Sequence, residues 1–315
     1  MRYNYKLYAD TYFEELRGIA DGAQMSLQDI LILNFEYELD AFMAMNNYTN
    51  NTRNNYYRYT PDSCSNLFIN SEQFFGIAHN EDDWNISLNC AYYTNVTYRD
   101  SDNNIMNNIF GFNFIPGILT GTSSPAVSIS NSMTLDVNYL FPEIVQYNGK
   151  ACVFICRDIL NSPSMETAIK TITNAAGGAS FNIGYKKEHK MANVELYLNK
   201  QNVLYINKNN YSYHFNEYLR IDNGNVVSWP LYYPSSESRL NRTIQIINDD
   251  YNGSLTTMDQ MRYILGDTQN TEYPIYRTTY ISTLMTTIFD IQSGFAYFFD
   301  KCNPKYCNPT FHVIF

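Results

Sequence analysis

A cysteine followed by two apolar runs and an acidic cluster is the stretch of this sequence best suited to chemistry. Cys64 precedes an apolar run at residues 67–69, and a polar turn at 70–73 separates it from a second apolar run at 74–78. This pattern predicts a β-hairpin. The second strand ends in residues 79–83, His-Asn-Glu-Asp-Asp. The hairpin returns a carboxylate to the cysteine, which predicts a nucleophile site.

The composition limits the function classes open to the chain. The sequence has 315 residues, of which 45% are hydrophobic and 17% charged, so it can bury a sizeable core. The net charge is −10, and no basic run is longer than Lys186-Lys187. Nucleic acid is therefore not an expected partner, because binding its phosphates requires a basic surface. No apolar run reaches the roughly 18 residues that span a bilayer, so no membrane partner is expected.

Cysteine and histidine usage gives no sign of a metal or cofactor. No CxxC pair is present, and the four histidines are scattered along the sequence. Because tetrahedral sites need closer ligand pairs, we expect no metal site and no cofactor. Cys302 and Cys307 flank a short turn and can pair in an oxidising compartment. The first residues lack a hydrophobic signal segment, which favours a cytoplasmic location.

Hydrophobic periodicity predicts helices on either side of a strand-rich middle, and no repeat or linker marks a boundary. We therefore expect one α+β domain. Ser162 is the predicted cap of the helix at 164–174, with Pro163 at its first position. Helices are predicted at 11–22, from Ser26 to about Met45, and at 153–160, 164–174, 235–250 and 257–265. Strands are predicted at 67–69, 74–78, 88–98, 126–133, 180–185, 194–198, 203–206, 287–291 and 295–299.

Several short motifs carry a resemblance to a known family. Residues 15–22 and 29–34 look like its helical propeptide, and Ser63-Cys64 looks like its cleavage point. Asp82 follows Cys64 by eighteen residues, as the family's motif requires, and residues 213–216 resemble its His-x-Asn segment. The sequence thus resembles the acyl-coenzyme A:isopenicillin N acyltransferase family of N-terminal-nucleophile (Ntn) hydrolases. Insect and other eukaryotic relatives in that family hydrolyse β-alanyl-amines such as N-β-alanyl-dopamine and carcinine.

The resemblance implies a fold and a maturation step. The fold would be the Ntn αββα sandwich, in which two mostly antiparallel sheets pack face to face between layers of helices. The precursor would cut itself between Ser63 and Cys64. Residues 1–63 would form a propeptide-like helical fragment and residues 64–315 the catalytic fragment. The two would remain together as one domain, a heterodimer of the chain's own pieces.

The resemblance also implies a role for each site residue. Cys64 would be the nucleophile, and its freed α-amino group, with an ordinary pKa of about 7.7–8.0, would accept the thiol proton. Asp82 would orient the amine and thiol, and Asn216 would donate to the oxyanion, a contribution of ~3–4 kcal/mol. Asn131 and His214 are candidate substrate-binding residues, each with a structural role as the alternative. His79 is expected at the surface, at the end of its strand.

Three functions follow as alternatives. The first is a cysteine amidohydrolase that cleaves a small N-acyl amine of the β-alanyl-biogenic-amine type. The second is an acyltransferase that passes the acyl group to an amine or to coenzyme A. The third is an uncleaved binding relative without activity, which is favoured by Ser63 standing where the acyltransferase has glycine. Thr279-Tyr280 stands where that enzyme has Ser-Arg, so penicillin-forming activity is not expected.

Overall fold

Two antiparallel β-sheets form the centre of the molecule in a computed structural model, which describes residues 10–36, 38–39, 42, 64–119, 125–140, 149–173, 175–221 and 233–315. The strands are β1 (Ser65–Asn70), β2 (Phe75–Trp84), β3 (Tyr92–Arg99), β4 (Ile105–Asn113), β5 (Ala126–Ser128), β6 (Met133–Leu140), β7 (Gly178–Tyr185), β8 (Lys190–Tyr197), β9 (Lys200–Tyr205), β10 (Asn210–His214), β11 (Ile281–Asp290), β12 (Phe295–Asp300) and β13 (Phe311–Ile314). The helices are α1 (Asp10–Ala23), α2 (Leu27–Asn34), α3 (Cys152–Leu160), α4 (Met165–Thr171), α5 (Tyr233–Tyr251) and α6 (Met258–Leu265).

The strand order follows from hairpins joined by longer connections. The first sheet has the order β10-β1-β2-β11-β12-β13, and the second runs β3-β4-β5-β6-β7-β8-β9. The predicted hairpin is confirmed, since β1 and β2 pair with Ser65 opposite Asn80 and Asn70 opposite Phe75. On its far side β2 pairs with β11 almost from end to end. The candidate site therefore starts from the two central strands of the first sheet.

Successive side chains of a strand point to opposite faces of its sheet, so each face packs against a different layer. Phe68 and Ile77 face inward and pack with Phe112 and Met191 of the second sheet. Leu67 and its neighbours of the same parity face outward, against α5 and α6. The outer face of the second sheet packs on α3 and α4. Two sheets between two helical layers form the predicted α+β αββα sandwich, which is confirmed.

The start of α4 differs from the prediction. Ser164, and not Ser162, is the N-cap, because its Oγ accepts the backbone N–H of Thr167 at 3.1 Å. The Ser162 hydroxyl instead donates to the carbonyl oxygen of Asp158 at 2.8 Å, in the preceding helix. The Ser162 hydroxyl is therefore not available as a cap. The helix begins at Met165, two residues after Pro163, which was predicted as its first position. It ends at Thr171.

Two predicted strands include several residues that form a turn or a 3-10 helix in the structure. The strand predicted at 126–133 ends at Ser128, and a turn carries the chain to β6. In that turn the backbone N–H of Asn131 donates to Ser128 Oγ at 3.3 Å, and Ser132 has a φ of 58°. The strand predicted at 88–98 begins only at Tyr92, after a short 3-10 helix at Asn85–Asn89.

The remaining expectations on organisation have mixed outcomes. Cys302 and Cys307 form the predicted disulfide. α2 begins after its predicted N-cap, Ser26, and ends at Asn34, whereas Met45 lies outside the described residues. In the portion of the chain that the structure covers, every helix is too short or too polar to cross a bilayer.

Candidate active site

Cys64 lies directly before β1, between the two sheets. Its side chain is buried, and its thiol donates to Glu81 Oε1 on β2 at 3.8 Å. This contact follows from the hairpin register, which places the residues around Cys64 opposite those around Glu81. The inference that the hairpin returns a carboxylate to the cysteine is confirmed.

The backbone of Cys64 is held by side chains from two distant elements. Arg239 of α5 donates from Nη1 to the Cys64 carbonyl oxygen at 2.6 Å and to Ser65 Oγ at 2.9 Å. Asn138 of β6 donates to the same carbonyl at 3.4 Å. The second guanidinium nitrogen of Arg239 donates to Asn216 Oδ1 at 3.0 Å. One buried arginine thus connects the predicted nucleophile with the predicted oxyanion donor.

Asp82 lies nearby on β2 and is buried among cationic groups. Its Oδ1 accepts from Thr283 Oγ1 at 2.6 Å, and its Oδ2 lies 3.5 Å from Arg277 Nε. Burial raises the pKa of Asp82 to about 6, although Arg277 and then Arg239 oppose that shift. The structure therefore brings Cys64, Asp82 and Asn216 to one end of the sandwich, as their predicted roles require.

His79 is fully buried, so its predicted place at the surface is wrong. β11 pairs along the whole of β2, and the second sheet covers the inward face, so this strand end is not exposed. His79 Nδ1 lies 3.3 Å from Asn66 Oδ1 and 3.3 Å from Asp136 Oδ1, and Nε2 lies 3.3 Å from Glu81 Oε2. Burial lowers the pKa of His79, but Asp136 and the hydrogen bonds with Cys64 and Glu81 together outweigh it, so the pKa lies well above the ordinary value.

Amides of the second sheet complete this polar network. Asp136 Oδ1 on β6 accepts from Asn66 Nδ2 and from Asn182 Nδ2 on β7, each at 2.5 Å. Asn182 also donates to Asn138 Oδ1 at 3.0 Å. Buried carboxylates and amides at the centre of a sandwich cost free energy unless they are paired, which indicates that this end of the interface serves a purpose other than packing.

The surroundings of the Cys64 thiol disfavour its ionised form. Burial raises the pKa of Cys64 to about 12, with the charge of Glu81 adding to the shift and a hydrogen bond with His79 opposing it. Because the thiolate is the nucleophilic form, attack requires a nearby group that accepts this proton.

Of the two predicted substrate-binding residues, Asn131 lies away from the candidate site, whereas His214 is paired in the sheet with Asn66 at its border. Asn131 is in the β5–β6 turn, where its side-chain amide donates to the Leu160 carbonyl at 2.9 Å. Asn138, which contacts the Cys64 backbone, lies five residues along β6 from Met133 at the end of this turn. Five residues of strand span about 17 Å. His214 ends β10 and is buried, and its Nε2 donates to Glu195 Oε1 at 3.0 Å. Burial, ahead of all other effects, lowers the pKa of His214.

Sequence reasoning missed four members of the site. His79 and Glu81 share the parity of the inward-facing Ile77, which was a usable signal for an inward position. Arg239 is a cation on the buried side of α5, next to the apolar ring of Phe215. Arg277 precedes β11 and carries no local signal, because it reaches Asp82 only through the long-range pairing of β11 with β2.

Comparisons with known proteins show the family to which the chain belongs. The profile of the family described as Acyl-coenzyme A:6-aminopenicillanic acid acyl-transferase matches residues 76–300. The chain belongs to this family. It is also similar to the β-alanyl-dopamine/carcinine hydrolase of Drosophila melanogaster, with 23% identity over 305 residues that cover 90% of this chain and 74% of that protein. The family resemblance drawn from the motifs is thus confirmed, and the chain is related to enzymes of acyl transfer and amide hydrolysis.

Two solved structures align with this chain at low sequence identity. A mutant conjugated bile acid hydrolase from Clostridium perfringens aligns with a TM-score of 0.45 and 13% identity, covering 76% of this chain and 89% of that one. Penicillin V acylase from Agrobacterium tumefaciens aligns with a TM-score of 0.43 and 10% identity, over 76% and 83% of the two chains.

Proposed function

We propose that this protein is a cysteine amidohydrolase that cleaves the amide bond of a small N-acyl amine through an acyl-enzyme on Cys64. The observation that carries the proposal is the joint position of Cys64 and Asp82 at one buried end of the hairpin, in a chain of this family. The substrate we favour is a β-alanyl-amine, because a similar protein is the β-alanyl-dopamine/carcinine hydrolase of Drosophila melanogaster.

Maturation comes first in this proposal. The Cys64 thiol attacks the carbonyl carbon of Ser63, the acyl group moves from nitrogen to sulfur, and water releases it. The products are the 1–63 fragment with a new carboxylate and the 64–315 fragment with a free α-amino group, held together as a heterodimer. Ser63 lies outside the described residues, so the arrangement of the scissile bond stays a prediction.

Turnover then uses the new amine as the base. The thiol proton passes to the α-amino group, and the thiolate attacks the substrate carbonyl. The side-chain amide of Asn216 donates to the oxyanion that forms. The tetrahedral intermediate expels the amine, which takes the proton from the α-ammonium group, and leaves a thioester on Cys64. Water hydrolyses that thioester to the carboxylic acid and restores the thiol.

The buried arginines support these steps by positioning. Arg239 contacts both the Cys64 carbonyl and Asn216, so it fixes the nucleophile relative to the oxyanion donor. Arg277 lies beside Asp82 and favours its ionised form, which is the form that can hold an ammonium group. Such preorganisation lowers the cost of arranging charges at the moment of reaction.

An acyltransferase is the second candidate, and membership of a family named for acyl transfer favours it. The chemistry is the same up to the thioester on Cys64, after which an amine or coenzyme A replaces water. A new amide or thioester product, formed when an acceptor is added, would favour this alternative over hydrolysis.

The test is a product assay with the purified full-length chain and a panel of N-acyl amines that includes N-β-alanyl-dopamine and carcinine. Wild type is expected to release β-alanine and the amine, and Cys64→Ala is expected to release neither. Cys90→Ala, which changes an exposed cysteine, is the matched control and should retain activity. Equal turnover by Cys64→Ala, or no cleavage of any panel member by wild type, would overturn the proposal.

A further inference from the structure

Three side chains next to the candidate nucleophile are of the types that bind transition metals. Cys64, His79 and Glu81 are all buried, and one ligand atom from each lies within 4.8 Å of the other two. Cys64 Sγ is 3.8 Å from Glu81 Oε1, and His79 Nε2 is 3.3 Å from Glu81 Oε2. Across the described ranges, no other group of His, Cys, Asp and Glu side chains brings three ligand atoms this close together.

The separations match a tetrahedral site. Zinc binds sulfur at about 2.3 Å and nitrogen or oxygen at about 2.0–2.2 Å, so neighbouring ligand atoms in a tetrahedron are about 3.3–3.6 Å apart. The measured distances are 3.8 Å from Cys64 Sγ to Glu81 Oε1 and 3.3 Å from His79 Nε2 to Glu81 Oε2, which are close to those edges but end on different oxygens of the carboxylate. One ligand atom from each of the three residues lies within 4.8 Å of the other two, so small side-chain rotations bring these atoms to tetrahedral separations.

The environment of His79 fixes which of its nitrogens is available. Nδ1 faces two oxygens, Asn66 Oδ1 and Asp136 Oδ1, so Nδ1 is the nitrogen that carries the proton. In the neutral ring, Nε2 then directs its lone pair toward the carboxylate of Glu81. Two acceptors that face each other need a cation between them, either a proton or a metal ion. A carboxylate on the far nitrogen is also the usual partner of a metal-bound histidine.

We propose that Cys64, His79 and Glu81 bind one divalent transition-metal ion, such as zinc, and that the bound ion blocks the nucleophile. On binding, the Cys64 thiol and His79 Nε2 each release a proton to solvent, and lone pairs on the sulfur, on that nitrogen and on a Glu81 oxygen form the bonds to the metal. The three protein ligands leave the fourth position to water. A sulfur held in this way cannot attack a carbonyl, so the ion acts as a reversible inhibitor. Binding needs neither cleavage at Ser63 nor turnover, so this inference stands apart from the proposed function.

The binding test uses cobalt as a spectroscopic substitute for zinc. The full-length chain, treated with a chelator and kept reduced, is titrated with Co²⁺. One equivalent is expected to give the visible absorption of tetrahedral cobalt and a thiolate-to-cobalt band in the near ultraviolet. Cys64→Ala should abolish the thiolate band, whereas Cys90→Ala should keep it.

Two conservative variants keep this test decisive if Cys64→Ala perturbs the fold. In competition with zinc, Glu81→Gln should weaken binding by more than about tenfold. Asp136→Asn, which changes a partner of His79 that is not itself a ligand, should weaken it by about ten- to a hundredfold. His189→Gln, at a histidine outside the cluster, should leave the affinity unchanged. Near-ultraviolet circular dichroism checks that each variant is folded.

Blocking of the nucleophile is tested by alkylation, which does not depend on any substrate. Zinc should slow the reaction of Cys64 with iodoacetamide by more than about tenfold, as followed by peptide mass spectrometry, and a chelator should restore the rate. No one-to-one cobalt complex, a thiolate band that persists in Cys64→Ala, or an unchanged alkylation rate would overturn the proposal. Because these measurements need no turnover, their failure is distinguishable from failure of the proposed function.

Discussion

Two buried histidines face carboxylates between the sheets, and their environments have opposite effects. The side chains of His79 and His214 are both 0% exposed, and each lies within 3.3 Å of a carboxylate oxygen. Nevertheless, the pKa of His79 is raised well above its ordinary value, and the pKa of His214 is lowered. Residue type and burial are the same, so the difference comes from the charged neighbours: two carboxylates, Asp136 and Glu81, face His79, whereas His214 faces only Glu195 and the cation of Arg220 opposes it.

The carboxylate beside His214 is already saturated with donors. Glu195 accepts the backbone N–H groups of Leu219, Arg220 and Ile221 at 2.7, 3.0 and 3.0 Å, in addition to His214 Nε2. Burial alone would raise the pKa of Glu195, but these donors, His214 first, lower it to about 2. The pair fastens the segment after β10 to the second sheet, which is a structural role.

The carboxylates around His79 are held differently. Asp136 Oδ2 has no hydrogen-bond partner among the described residues, and Glu81 contacts both His79 and Cys64. Two carboxylates hold a proton on His79, and burial together with the charge of Glu81 opposes a thiolate on Cys64. The pair of His214 and Glu195 stabilises the fold, whereas a histidine between two carboxylates and beside a thiol provides a place for chemistry.

The largest effect of a mutation is expected among the residues around Cys64, and it is an effect on activity. Asp82→Asn keeps the shape of the side chain but removes the charge beside Arg277, so kcat/KM should fall by about 100- to 10,000-fold. In wild type, kcat/KM should also rise with pH through about 6, because the carboxylate of Asp82 has its pKa raised to about 6 and acts only when ionised. Steady-state kinetics on folded protein test both points. A variant within about threefold of wild type would contradict the role of Asp82.

At the pair of His214 and Glu195, we expect a mutation to change the stability of the fold but not the reactivity of Cys64. Glu195→Gln should lower the free energy of unfolding by about 3 kcal/mol at pH 7, the equivalent of the pKa shift from 4.5 to about 2. Because the folded-state pKa is the lower one, this stabilisation is present above about pH 4.5 and is lost as the pH falls toward 2.

The measurement for this pair is denaturant unfolding of wild type and Glu195→Gln between pH 7 and pH 3, beside the alkylation rate of Cys64. The difference in stability should shrink on acidification, and the alkylation rate should not change. Equal stabilities at pH 7, or a large change in Cys64 reactivity, would show that the two regions are not separate.

The smallest effect is expected at Asn131, outside both regions. Asn131→Ala removes one hydrogen bond to the Leu160 carbonyl and should cost about 1 kcal/mol of stability. Since the residue lies in the β5–β6 turn, KM and kcat should stay within about twofold of wild type. A large rise in KM would instead support its predicted role in substrate binding.

Local patterns in the sequence predicted the hairpin and the place of its carboxylates. The turn at 70–73 and the alternation on either side of it are short-range signals, and the structure has the expected pairing of β1 with β2. The spacing from Cys64 to Asp82 came from the same hairpin and from the family motif. The hairpin and the spacing from Cys64 to Asp82 depend on residues close together in sequence, so they can be predicted without knowledge of the fold.

The rest of the site depends on contacts that are distant in sequence. Burial of His79 requires β11, which pairs Thr287 with it from some two hundred residues away. Arg239 and Asp136 reach the site from α5 and β6, and no spacing rule connects them with Cys64. Asn131 was misplaced because the alternating pattern at 126–133 continues through a turn, where Ser128 Oγ accepts a backbone N–H and ends the strand.

The central claim is that Cys64 becomes an N-terminal nucleophile, and the most direct measurement is the mass of the purified full-length protein under denaturing conditions, beside Cys64→Ala. Wild type is expected to show two fragments whose masses correspond to residues 1–63 and 64–315, and the variant a single chain. A single full-length mass for wild type would contradict self-processing. The base for Cys64 would then have to come from the side chains around it.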